Sequence, residues 1–476
     1  MSKAQRRNRF VTIGAAVSMA VVLGTGAAGA AAQPAPGADG AGDSYYPQDG
    51  NGGYQVGGYD LKVNYNPATH QMNARQHITA TATQDLSSFD LDLNGLTVSS
   101  VTVDGKPAKF ARKGDHELVI SPAQPLWRGF GFTTDIVYGG KPKPISDPLL
   151  GANGWQYAKN GGAFAAGEPK SASTWYPVND TPKDKATFKL AITVPDQWGV
   201  IGNGEEGPVT KGPGGTTHVW TETTPVVPYM TTVAIDKWQF RRSTLADGTP
   251  RVSAFAPGTT KATKDADARL PEVIEFLSRK FGPYPVDAAG GIYLTEPIGF
   301  SLETMSRPIY SGAAGDLGTI IHENAHQWYG DSVAVQNWKD VCLNECFASY
   351  APWLWAEEKE HGNLDQVYRR QVAAAPKELW AGKLYDMGPG NEFTWVYDKG
   401  PLWLHALRHQ IGERAFATVL RSWPAMHRNG NATMQQFQRF TELVSGQDLM
   451  GFFDAWVYGS GKPAPKYLFP GSLGGK

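Results

Sequence analysis

The segment Ile320-Ile321-His322-Glu323-Asn324-Ala325-His326 sets two histidines four residues apart, with an acid beside the first. Residues four apart share one face of a helix, so His322 and His326 can aim two imidazoles at one point. Such a pair binds transition metals, and zinc takes nitrogen and carboxylate ligands in tetrahedral geometry. A catalytic zinc keeps three protein ligands and leaves one place for water. Glu345, with eighteen residues between it and His326, is the simplest third ligand. Glu323 would then be free to take a proton from the activated water and pass it to a leaving amine. His-Glu-x-x-His on a helix is a metalloprotease signal, so one zinc per chain and peptide hydrolysis are expected. The competing reading is a surface helix with an incidental pair of histidines.

These side chains need rigid elements behind them. Asp316 can cap the motif helix, and residues 339–358 read as a second helix holding Glu345, with Pro352 a kink or break. Cys342 and Cys346 flank Glu345, and a helix would hold their Cα atoms about 6 Å apart, at the upper end of the disulfide range. A disulfide, two inert thiols, or a thiol competing with Glu345 for metal all remain open. His405 and His409 repeat the four-residue spacing. With no acid inside the pair and Arg408 between them, an exposed helix face is expected there.

Further helices are expected at 264–281, 364–374, 399–411, 415–423, 434–443 and 449–457, with a capping box at Thr433-Met434-Gln435-Gln436. Before residue 240 the pattern is different. Tyr59, Leu61, Val63 and Tyr65 alternate with polar residues, as do 77–83 and 89–93, and Asp104-Gly105 marks a hairpin turn. The chain therefore reads as multidomain: an antiparallel all-β domain at 53–240, then a mainly helical zinc domain at 241–465 and a tail at 466–476. Residues 33–52, rich in Gly, Pro, Ala and Asp, read as a flexible leader.

At the N-terminus, Lys3, Arg6, Arg7 and Arg9 precede an apolar run from Val11 to Leu23 and small residues near Ala30. Residues 1–32 thus read as a cleaved export signal, by ordinary secretion or the twin-arginine route, and a secreted protein follows. A formal net charge of −1 over 476 residues gives no basic face for nucleic acid. No membrane partner is expected after cleavage.

The motifs resemble the zinc aminopeptidase family of aminopeptidase N and leukotriene A4 hydrolase. His322-Glu323-Asn324-Ala325-His326-Gln327-Trp328 followed by Asn344-Glu345-Cys346-Phe347-Ala348 is similar to that family's zinc signature, with Cys346 where glycine is usual. Tyr176-Pro177-Val178-Asn179-Asp180 with Lys185-Ala186 resembles its β-domain signature. The resemblance implies a saddle-shaped β-domain packed on a thermolysin-like zinc domain. It implies that Tyr397, in Tyr397-Asp398-Lys399-Gly400, stabilises the oxyanion. It also implies that Glu303, in Phe300-Ser301-Leu302-Glu303-Thr304, and Glu168, in Gly167-Glu168-Pro169, hold the substrate's α-amino group. The family's exopeptidase motif keeps only its glutamate here. Peptides are the expected partners. A thermolysin-type endopeptidase is the alternative, and a non-catalytic zinc-stabilised binding protein a third reading that the presence of Glu323 disfavours.

Overall fold

Strict apolar–polar alternation shapes the N-terminal half. Along Tyr54–Asn66, Tyr59, Leu61, Val63 and Tyr65 turn inward while Lys62 and Asn64 face out, and Gln71–Ala82 buries Met72, Ala74, Ile78 and Ala80 in the same rhythm. These strands centre an eight-stranded sheet ordered Glu205–Gly212, Gly215–Val226, Ala186–Val194, Tyr54–Asn66, Gln71–Ala82, Gly131–Gly140, Thr97–Val103, Lys106–Pro107. Its ladders are antiparallel except where Ala186–Val194 runs parallel to Tyr54–Asn66, Leu190 opposite Leu61. A smaller sheet joins Gly151–Tyr157, Ala163–Ala166, Val233–Asp236 and Gly199–Gly202. Trp155, Trp175, Tyr176, Tyr65, Tyr59 and Phe188 fill the core in edge-to-face and tilted pairs, at centroid separations of 4.6 to 6.2 Å.

This computed structural model describes residues 33–147, 151–312 and 315–474; the expected export signal at 1–32 lies outside the described residues. Strand Gln239–Thr244 runs across the expected boundary at 240 and pairs with Pro250–Phe255, which continues parallel to Ala289–Tyr293 and then Ile309–Tyr310. The expected helix at 264–281 is two, Lys261–Ala268 and Leu270–Phe281. Arg269 separates them and Pro271 opens the second, where its missing N–H costs nothing. Leu270, Val273, Ile274 and Leu277 form the buried stripe of the second helix, as the periodicity predicts. Helices follow at Leu317–Ala325, Cys342–Lys359, Leu364–Ala374, Lys399–Ile411, Glu413–Met426 and Met434–Ser445. The capping box at Thr433 and Gln436 is present, and Asp316 accepts the Thr319 N–H at 3.1 Å. Pro352 does not interrupt its helix.

The segment read as a flexible leader is packed, and so is the tail. In the leader, the buried Asp43 accepts a hydrogen bond from the Trp338 N–H at 2.8 Å, and Tyr45 donates to Asp386 at 3.0 Å. The Asn51 N–H donates to Asn179 at 2.6 Å. Composition suggested flexibility, but a few anchoring side chains hold backbone that has no periodicity of its own. The tail is fixed in the same way. Leu468 and Leu473 are buried, and Arg369 donates to the Leu473 carbonyl at 2.6 Å.

Candidate active site

The motif helix Leu317–Ala325 ends where the chemistry begins, with His326 as its C-cap. The next residues turn sharply, the Asp331 N–H returning to the His326 carbonyl at 2.9 Å. The His326 Nδ1 lies 3.0 Å from the Tyr329 carbonyl; donating there, the ring presents Nε2 as a free lone pair. Tyr329 then stacks on Phe347 at 4.2 Å and 5° between planes, and donates to the Leu420 carbonyl at 2.8 Å. Phe347 lies two residues beyond Glu345, so this stack joins the element bearing the histidines to the one bearing the glutamate. Glu345 itself sits in the first turn of Cys342–Lys359, where the helix dipole favours a carboxylate.

The three expected ligands converge. His322 Nε2 and His326 Nε2 are 3.2 Å apart, and each is 3.4 Å from Glu345 Oε2. Bonds of about 2.0–2.1 Å in a tetrahedron give ligand–ligand edges of about 3.3–3.4 Å, so the triangle fits zinc. Burial opposes ionisation of Glu345, but the adjacent His326 and His322 rings outweigh it and bring its pKa down to about 2. Glu323, on the same helix, is 6% exposed; burial, with Glu303 and Glu345, pushes its carboxyl up against the pull of His326.

Glu303 lies in the loop between the last two strands of the four-stranded sheet, and its carboxylate is within 4.8 Å of the His326 and Glu345 donor atoms. The Tyr229 hydroxyl donates to Glu303 at 2.8 Å. Glu168 follows strand Ala163–Ala166 and is 4% exposed, with an oxygen that no hydrogen bond satisfies. Burial, then the charges of Glu303 and Glu345, push its carboxyl well up. Tyr397 is 44% exposed and its ring centroid is 6.1 Å from that of His322. Desolvation in the cleft, and then Glu345, Glu168, Glu303 and Glu323, push its phenol well up, so it stays a proton donor. All seven residues singled out from sequence therefore face one cleft.

Others went unnoticed. Tyr229 is a single tyrosine between Pro228 and Met230 and gives no pattern to read. Tyr46, from the leader, sets its ring against Trp338 at 6.2 Å, and Trp338 meets Tyr229 at 5.3 Å. Burial, Glu392, Asp147 and Glu168 all push the Tyr46 phenol up, which puts this leader residue beside the cleft. Cys342 and Cys346 form a disulfide with Cα atoms 4.9 Å apart, resolving the three readings left open by their spacing. A Cβ at Gly400 would meet Cys346 Sγ at 2.6 Å, so glycine lets the Tyr397 segment lie directly on the disulfide. The expected exposed face at His405 and His409 is corrected: His405 is 1% exposed and His409 half-buried, because helix Leu364–Ala374 and the C-terminal turn cover them.

Comparison with known proteins places both halves of the chain. The Peptidase M1 N-terminal domain model matches residues 56–230 and the Peptidase family M1 domain model matches 315–456. Glutamyl aminopeptidase of Bitis rhinoceros is 24% identical over 68% of this chain and 37% of its own length. Aminopeptidase N of Lactococcus lactis subsp. cremoris is 26% identical over 60% of this chain and 37% of its own. The chain thus spans little more than a third of these two relatives. The crystal structure of an M1 zinc metallopeptidase from Deinococcus radiodurans superposes with a TM-score of 0.84 at 27% identity, covering 89% of this chain and 98% of that one. A mutant of it bound to a Tyr-Ser-Ala substrate gives 0.83 over 89% and 99%. With both domain models matched in order and the two-domain zinc metallopeptidase fold reproduced along nearly its whole length, the chain belongs to peptidase family M1.

Proposed function

We propose that this protein is a secreted zinc aminopeptidase releasing single N-terminal residues from peptides. The observation that carries the reading is the pair of buried carboxylates, Glu303 and Glu168, beside the His322–His326–Glu345 triangle. Two carboxylates buried together are costly unless a cation joins them. A peptide's α-ammonium, mostly protonated at neutral pH, is that cation. Anchoring it at a fixed distance from the reacting carbonyl leaves room for one residue. The relatives' names and the bound Tyr-Ser-Ala of the Deinococcus structure support peptides as the substrate class.

His322, His326 and Glu345 would hold one zinc ion in this site, which when bound acidifies a water and polarises the scissile carbonyl. Glu323 takes the proton of the attacking water and delivers it to the departing amine. Tyr397 donates a hydrogen bond to the oxyanion as charge develops there. Secretion is supported by the basic head and apolar run within residues 1–32, and by a disulfide that an oxidising compartment preserves.

The test is a set of fluorogenic peptides with free and N-acetylated termini, with Glu323→Gln as control. Hydrolysis of the free series alone is expected. The variant should keep its zinc and lose roughly 10²–10⁴ in kcat. Equal rates on blocked and unblocked peptides would make the protein an endopeptidase instead.

A further inference from the structure

Helix Lys399–Ile411 carries a second histidine pair at four-residue spacing, and the fold brings an acid to it. His405 Nε2 and His409 Nε2 each lie 3.0 Å from the same oxygen, Oδ1 of Asp365, in the first turn of Leu364–Ala374. The catalytic triangle serves as an internal standard. There too a helical His-x-x-x-His pair converges through Nε2 on one oxygen of a carboxylate from another helix. The ring centroids are 4.8 Å apart in both pairs, with interplanar angles of 63° and 75°.

The other nitrogen of each ring is also occupied. His405 Nδ1 is 3.0 Å from the Tyr350 hydroxyl, and His409 Nδ1 is 2.7 Å from Ser472 Oγ. Hydroxyl oxygens can accept from Nδ1–H, and that tautomer turns both Nε2 lone pairs toward Asp365, the outer support typical of metal-bound histidine. Tyr368 and Trp353 wall the site at 5.2 and 6.0 Å from the His405 ring. Arg408, the nearby cation, is already paired with Glu357 at 2.9 Å and Glu413 at 2.5 Å. Asp365 is 43% exposed, which leaves solvent a route to the remaining coordination positions.

We propose that His405, His409 and Asp365 form a second metal site, taking a zinc-class dication with water completing its coordination. One carboxylate and two neutral imidazoles suit a borderline-soft ion and not calcium or magnesium, which call for oxygen ligands. Such an ion would fasten the start of Leu364–Ala374 and, through Ser472, the C-terminal turn to the helix that follows Tyr397.

The test is metal content by mass spectrometry of the full chain, equilibrated with zinc and freed of loose ion by gel filtration. Wild type is expected to carry about two ions per chain, and Asp365→Asn and His409→Gln about one each. Both variants should still hydrolyse peptides, showing that they fold. Disabling the catalytic site with His322→Gln should also leave about one ion, removed when Asp365→Asn is added. Wild type saturating at a single ion, or Asp365→Asn retaining as much zinc as wild type, would overturn the proposal; the first result would leave the catalytic reading intact.

Discussion

At the scale of single residues, the cleft separates holding from reacting. Two histidines and one glutamate make a triangle of the right edge lengths, while Glu323 and Tyr397 stand beside it, placed in the proposed reading to accept a proton and to donate a hydrogen bond. Tyr397 is the cleaner of the two to alter, because it is half-exposed and its loss opens no cavity. Tyr397→Phe is expected to lower kcat about 10²–10³-fold with KM little changed, the cost of one oxyanion donor. Zinc content should stay at the wild-type level, and steady-state kinetics with metal analysis checks both. A variant that lost metal in parallel would show the tyrosine supporting the triangle instead.

Among the elements, two contacts fix the site. The Tyr329–Phe347 stack sets the histidine-bearing turn against the glutamate-bearing helix. Phe347→Ala should cost about 3–5 kcal/mol in denaturant unfolding, as for a buried aromatic, and weaken zinc retention against a chelator. Lys185 is the second contact: it reaches from the β-domain to the carbonyls of Asp331 and Ser332 at 2.7 and 2.8 Å, just past the motif. Burial brings its pKa down from 10.5 to about 7. Between those values the unfolded chain binds the proton that the folded chain releases, so this group's contribution to stability grows as pH rises from about 7 toward 10.5 and is lost as pH falls through 7. Lys185→Met should lack that rise, measured as urea midpoints across the window.

What sequence reveals here follows from the range of the signal. Periodicity found the helices at 364–374 and 399–411 and the strands around Leu61 and Ile78, and spacing found His322, His326 and Glu345. Tyr229 and Asp365 escaped because the contacts that matter, to Glu303 and to His405, join points 74 and 40 residues apart with no pattern between.

For the molecule as a whole, the leader is a structural member. Between Pro34 and Asn51 it touches the β-domain at Asn179, the zinc domain at Trp338 and Asp386, and the cleft through Tyr46. A chain lacking residues 34–51 should melt a few degrees lower, since lost buried contacts of about 1 kcal/mol each shift Tm by about 1 °C apiece in a protein this large. Its KM for free-terminus peptides should rise, because Tyr46 no longer backs Trp338 and Tyr229. Anyone cloning this protein from the first obvious strand at Tyr54 would discard a glycine- and proline-rich prefix as dispensable. The product would be a weakened catalyst whose deficit came from the choice of primer.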